Sequence, residues 1–301
     1  MSILCIGEIL WDVFEDQGET LAGAPFNVAL AIGRLGDPVS LISAVGRDER
    51  GRRALHHLES IGFNSEFVKV LDGLPTGTAE VHIDAHNNPS YLIPRPAAFD
   101  SLAIDDDDSL RISTLSPKWI YFGTLTQISR QNEELVSALI RRFPGISCFY
   151  DLNLRDGHWN FPLVQRLARH ATVLKLNKAE AQALFAQEST DAFSLDRFCS
   201  SWSDRYRIDV ICITLGGEGC AIYTNGRMIL APGFPVTVVD TVGAGDAFTA
   251  GFLHGLLHNW PLAQTARFAN ALGSIVASRA TAIPAWTPTE VHALLQGLDH
   301  A

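Results

Sequence analysis

An α/β fold, with a mostly parallel central sheet between helices and a small β appendage, is predicted by three observations. Strand-like apolar runs at 119–122, 146–152, 173–176 and 210–214 alternate with helix-like runs near 131–142, 162–170 and 179–185, the order of a parallel sheet covered on both faces. Polar residues gather just beyond several of the strand-like runs, where open α/β sheets bind ligands. Residues 77–84 and 90–93 are short β-like runs joined by His86-Asn87-Asn88-Pro89, hairpin chemistry that interrupts the alternation and sets a small β unit apart from the main sheet.

The elements follow in order. Residues 3–7 form a strand, and 8–22 mix apolar and acidic residues as strand and loop. A helix over 24–35 closes at Gly36, a strand spans 40–45, and a helix over 48–61 closes at Gly62, glycine being the usual residue just past a helix end. Asp105-Asp106-Asp107-Asp108 reads as a solvated cap before a helix, because it lacks the glycine and spaced ligands of an EF-hand loop. After 214, the runs 221–223, 228–231 and 236–239 read as a β meander, followed by helices over 245–258, 262–280 and 288–297. Neither a repeat nor a linker divides the chain, so one domain over 1–301 is expected.

Bulk properties narrow the function. With 301 residues, 47% hydrophobic and 19% charged, the chain can bury a large core. A net charge of -10 repels a phosphate backbone, so nucleic acid is an unfavoured partner. No apolar run is long enough to span a bilayer, and Met1 leads into a strand-like run without a basic leader. Cys5, Cys148, Cys199, Cys212 and Cys220 contain no Cys-x-x-Cys pair, which fits a reducing, cytoplasmic setting.

The segment richest in chemistry is Asp240-Thr241-Val242-Gly243-Ala244-Gly245-Asp246-Ala247-Phe248. It follows a strand and opens a long helix. Its glycines let the backbone approach a ligand, and free N–H groups at the positive end of a helix suit a phosphoryl group. Asp246 in the first turn can take a proton from a hydroxyl held there; alternatively it only caps the helix. The segment is neither a P-loop, which needs Gly-Lys-Ser/Thr, nor a dinucleotide fingerprint, which needs a small residue where Phe248 stands. Further polar loops stand at Leu21–Ala29, Asp151–Arg155, Asn177–Glu180 and Thr214–Gly219, as around one shared crevice. His254 and His258 are four apart on a helix but lack the glutamate of His-Glu-x-x-His, so they read as surface histidines rather than a zinc site. Trp11 reads equally as a ring stacked on a bound ligand or as packing, and Arg95 as a surface arginine rather than a ligand contact.

With these motifs in this order, the sequence resembles the PfkB, or ribokinase-like, carbohydrate kinases, and among them the fructokinases. The resemblance runs from Gly7-Glu8-Ile9-Leu10-Trp11-Asp12 to the carboxyl-terminal helices. It implies a ribokinase-like three-layer α/β/α fold with a small β lid formed by segments about 9–24 and 77–98. Asp246 then matches the catalytic base, and Gly243, Ala244 and Gly245 the anion hole. Asp12, Gly23, Asn27 and Arg155 match the sugar side. Asn177, Glu180, Thr214, Gly216, Gly219 and Asn270 match the nucleotide side, with Glu180 holding Mg²⁺ through water. Asp240 and the Val242 carbonyl match a K⁺ site. ATP and Mg²⁺ are the implied cofactors, K⁺ an additional one, and a homodimer is compatible.

Two departures stand out. Ala22 occupies a position that is usually glycine, and Thr281 follows Ser278-Arg279-Ala280 where a glycine usually completes the cation loop. The expected activity is transfer of the γ-phosphoryl group of ATP to a hydroxyl of an unphosphorylated sugar, D-fructose first. The alternatives are a ribose, nucleoside or 2-keto-3-deoxygluconate kinase of the same fold, or a catalytically idle binding protein. Asp, Asn and Gly on the sugar side suit neutral hydroxyls, whereas a phosphosugar would call for several Lys or Arg.

Overall fold

The computed structural model describes residues 2–14, 18–83 and 89–297, those at 81–83 and 89–91 as backbone only. The connector His86-Asn87-Asn88 lies outside the described residues, as do residues 15–17 of the first segment expected to form the lid.

A nine-stranded sheet forms the frame. In chain order its strands are β1 (Ser2–Ile6), β4 (Val39–Gly46), β5 (Val68–Leu71), β8 (Pro117–Gly123), β9 (Ser147–Asp151), β10 (Val173–Asn177), β11 (Val210–Thr214), β12 (Gly219–Thr224) and β13 (Arg227–Pro232). Their spatial order is β13-β12-β11-β10-β9-β8-β1-β4-β5. All pairs from β11 to β5 are parallel, and only the pairs β11–β12 and β12–β13 are antiparallel. The chain leaves β1 outward to β4 and β5 and later resumes beside β1 at β8, so the direction of winding reverses there and opens a crevice at the carboxyl ends.

Strand alternation sends side chains into two cores. Ile3, Cys5, Leu41, Tyr121, Phe149, Val173 and Cys212 face one side, against α1 (Ala24–Arg34), α2 (Glu49–Ser60), α9 (Ala244–Leu257), α10 (Leu262–Ala277) and α11 (Pro288–Gly297). Leu4, Ile6, Ile120, Phe122, Cys148, Tyr150 and Leu174 face the other. They meet α3 (Asp106–Leu115), α5 (Arg130–Arg142), α6 (Phe161–Ala168), α7 (Lys178–Ala186) and α8 (Leu195–Tyr206), with the short α4 (Thr124–Gln127) nearby. Because a parallel sheet is buried on both faces, its strands read as nearly continuous apolar runs. All five cysteines are buried free thiols.

A second sheet, β3-β2-β6-β7, joins β2 (Leu10–Phe14), β3 (Gly18–Ala22), β6 (Gly77–Ile83) and β7 (Pro89–Leu92). β2 pairs parallel with β6, and the outer pairs are antiparallel. The β unit expected at 77–93 is therefore separate from the main sheet, as the hairpin chemistry suggests.

Several expectations are corrected. Residues 236–239 do not extend the meander: the segment leaves the sheet, Val238 and Val239 are exposed, and the Val239 amide bonds to Ala277 O at 2.9 Å. Within the aspartate run, Asp105 caps α3 as expected, but Asp108 is buried and pairs with Lys69.

His254 and His258 are not a free surface pair. His254 Nδ1 lies 2.6 Å from Asp37 Oδ2 and His258 Nε2 lies 2.8 Å from Asp37 Oδ1, clasping α9 to the turn after α1. These separations are those of hydrogen bonds, shorter than the roughly 3.3 Å that two ligands of one tetrahedral zinc keep. Arg95 is mostly buried, pairing with Asp100 and donating to Leu125 O at 2.8 Å. Trp11 is packing: its indole donates to Arg50 O at 3.1 Å and Arg53 lies over the ring, on the opposite face of β2 from Leu10 and Asp12.

Candidate active site

A cavity of about 510 Å³ opens at the carboxyl ends of the strands. The small sheet contributes Leu10, Asp12, Ala22 and Ala79 to its wall; the main domain contributes Glu8, Gly23, Asn27, Asn153, Arg155, Lys175, Asn177, Glu180, Thr214 and the turn Thr241–Asp246 apart from Ala244.

That turn is built by Gly243, the residue before α9, whose φ of 77° is left-handed. A side chain there would run into the Ala282 carbonyl, so both conformation and space require glycine. Helix geometry leaves the Gly245 and Asp246 amides without an intrahelical acceptor, at the positive end of the dipole. Ala244 differs: its N–H donates to Thr241 O at 3.2 Å, and the residue does not line the cavity.

The Asp246 carboxylate accepts from Asn27 Nδ2 at 2.7 Å. Burial pushes its pKa up to about 6, against the Asn27 bond and nearby Lys175, which favour the charged form. Asn27 is aimed by α1, whose start requires Gly23 at φ 126°, where a Cβ would strike the Glu8 carbonyl. Asp12 is likewise raised by burial to about 6, and Glu8 to about 7. Arg155 holds Asn153 Oδ1 at 2.8 Å. An acid-rich wall with partly retained protons can both donate to and accept from hydroxyls.

On the other flank Asn177 and Glu180 cap α7 reciprocally. Asn177 Oδ1 accepts from the Glu180 amide at 2.9 Å, and Glu180 Oε2 accepts from the Asn177 amide at 2.7 Å. Glu180 Oε1 also accepts from Leu154 N at 2.7 Å. Each carboxylate oxygen thus keeps one lone pair, enough for a hard cation reached through water. Thr214 lines the cavity, but Gly216 and Gly219 do not; they shape the loop behind it. Asn270 is buried behind that loop, its amide donating to Ala231 O and Pro232 O, so it pins β13 rather than facing the cavity. Asp240 Oδ1 accepts from Val242 N at 3.0 Å; Val242 lines the cavity and Asp240 does not.

Glu8 and Lys175 are functional candidates beyond those singled out by motif. Lys175 carries a signal in the sequence, a lysine inside the apolar run Val173-Leu174-Lys175-Leu176, since such a charge needs a partner. Glu8 has only its place just past a strand end.

Comparison with known proteins agrees with this architecture. The family model described as pfkB family carbohydrate kinase matches residues 3–290, and the chain belongs to that family. It is 28% identical to fructokinase-1 of Zea mays, over 90% of this chain and 86% of that protein. It is 27% identical to a 5-dehydro-2-deoxygluconokinase of Geobacillus thermodenitrificans, over 91% and 85%. The fold is that of an ATP-bound fructokinase from Xylella fastidiosa, with a TM-score of 0.87 at 24% identity, covering 99% of both chains. It is equally that of a Thermotoga maritima 2-dehydro-3-deoxygluconokinase, with a TM-score of 0.83 at 19% identity, covering 99% and 100%. The ribokinase-like fold expected from the motifs is therefore the one observed, and the chain is a carbohydrate kinase. None of its described helices is long and apolar enough to cross a membrane.

Proposed function

We propose that this kinase transfers the γ-phosphoryl group of ATP to a primary hydroxyl of D-fructose, with Asp246 as the base. The observation that carries the reading is the Asp246 carboxylate in the first turn of α9, on the cavity wall, held by Asn27 at 2.7 Å. Asp246 takes the hydroxyl proton as that oxygen bonds to the γ-phosphorus, and the bond from phosphorus to the ADP oxygen breaks. The amides of Gly243, Gly245 and Asp246 meet the charge spread over the transferred group. Asp12, Gly23, Asn27 and Arg155 orient the sugar, and Asn177, Glu180 and Thr214 face the nucleotide. Glu180 would hold Mg²⁺ through water, and the ion when bound neutralises phosphate charge; Asp240 and the Val242 carbonyl would hold K⁺. The small sheet acts as a lid that excludes water as a competing acceptor, on a single catalytic domain that works in the cytoplasm.

An ADP-coupled assay across fructose, ribose, nucleosides and 2-keto-3-deoxygluconate tests this. Fructose should turn over fastest, and Asp246→Asn should lower turnover by roughly 10²–10⁴-fold. Rapid turnover of 2-keto-3-deoxygluconate with none of fructose rejects the sugar; wild-type activity in Asp246→Asn rejects the base.

A further inference from the structure

We propose that Lys175 is a positioning residue for phosphoryl transfer: through Asp151 and Thr249 it fixes the start of α9 against the sheet, and it sets a permanent positive charge beside Asp246. This rests on Asp246 being the base.

Lys175 sits in the middle of β10, 7% exposed, between the fully buried Leu174 and Leu176. Its Nζ lies 3.1 and 3.0 Å from the two oxygens of Asp151, its register partner on β9. Thr249 of α9 donates its hydroxyl to Asp151 Oδ2 at 2.9 Å. Lys175 Nζ also reaches the Gly245 carbonyl, at 3.5 Å. Two strands and the helix that presents the base are thus tied through one buried ion pair.

Packing alone does not call for this arrangement. Desolvating two charges is costly, and a well-packed apolar pair is often as stable or more so. The pair lies instead where charge matters, in the cavity wall beneath the amide-bearing turn. Glu8 beyond β1, Asp12 on β2, Tyr121 on β8, Asp151 on β9, Arg155 beyond β9 and Lys175 on β10 all act on Asp246 or feel it. Acids dominate that set, and Lys175 and Arg155 are its cations. Burial pulls the Lys175 ammonium down, but Asp151, Glu180 and Asp246 together more than compensate and keep it charged.

The test is kcat and kcat/KM with fructose and Mg-ATP against pH, for four variants beside the wild type. Lys175→Met moves the acid limb of kcat/KM about one pH unit upward, since losing a neighbouring cation disfavours the carboxylate, and Lys175→Arg leaves the limb in place. Thr249→Val lowers kcat at least ~10-fold without moving the limb. Asp151→Asn/Lys175→Met leaves no unpaired buried charge, so it folds even if the single variant does not, and its kcat falls at least ~10-fold with the fructose KM within about three-fold. An unshifted limb in Lys175→Met, or wild-type kcat in the folded double variant, overturns the proposal. Asp246→Asn run alongside separates this from failure of the base assignment: if it keeps wild-type turnover, that assignment falls first.

Discussion

The side-chain amide of Asn27 donates to Asp246 Oδ2 across 2.7 Å, joining residues 219 apart in the chain. The bond ties α1 to α9. Because it favours the ionised carboxyl, it opposes the effect of burial and keeps Asp246 usable near neutrality.

Replacing Asn27 with Asp should therefore do more than remove a contact. Two carboxyls at that separation share one proton and titrate as a pair with split apparent pKa values. Activity at pH 7 should fall at least ~10²-fold, with partial recovery at higher pH. The kcat/KM profile checks this; an unchanged profile would deprive the bond of its role.

Asp246→Asn should separate stability from catalysis. The folded pKa of Asp246, about 6, exceeds the ordinary aspartate value of 3.8. Between those values the folded state holds more protons than the unfolded one, so stability declines as pH rises through the window and stays lower above it. Removing the ionisable group should raise stability at pH 8 by roughly 1–2 kcal/mol relative to wild type, with no gain near pH 3. Urea unfolding at both pH values measures it.

The clasp of Asp37 with His254 and His258 has the opposite sign. Burial raises the Asp37 carboxyl, but the two imidazole bonds together outweigh it and hold its pKa below the usual range. Its stabilisation is present above the ordinary aspartate pKa and fades as pH falls through the lowered folded value. Asp37→Asn should cost about 1–3 kcal/mol at pH 7, and the difference should shrink in acid. Equal losses at pH 7 and pH 3 would show the effect to be packing.

Thr281 occupies the left-handed region with φ 75°, where a β-branched residue is strained by about 1 kcal/mol or more. Its neighbour Ala282 places its carbonyl against Gly243. Thr281→Gly should raise stability by roughly 0.5–1 kcal/mol, read as a higher urea midpoint at unchanged slope. A lower midpoint would mean that the threonine side chain supports the loop.

Much of this architecture could be read from residue order. The parallel sheet is visible because strands buried on both faces, such as 173–176 and 210–214, have no polar side to blur them. The turn at Gly243–Asp246 is legible because its glycines stand directly before a long apolar run that reads as a helix. What escaped was set by contacts distant in sequence. The segment 236–239 is as apolar as a strand yet is drawn off by Ala277. Trp11, Arg95 and the two histidines owe their roles to Arg50, Leu125 and Asp37, none of which a local window contains. Asn270 spends its amide on Ala231 and Pro232, a pairing only coordinates reveal.

The interior placement of every thiol has a practical consequence. Desolvation raises Cys148 and Cys199 to about 12 and holds Cys5 and Cys212 higher still, leaving almost no thiolate to react at neutral pH. A single cysteine introduced on the outer face of the small sheet would therefore take a maleimide dye selectively, with all five native residues in place. Fluorescence of the dye would then test whether that sheet moves as sugar and nucleotide are added.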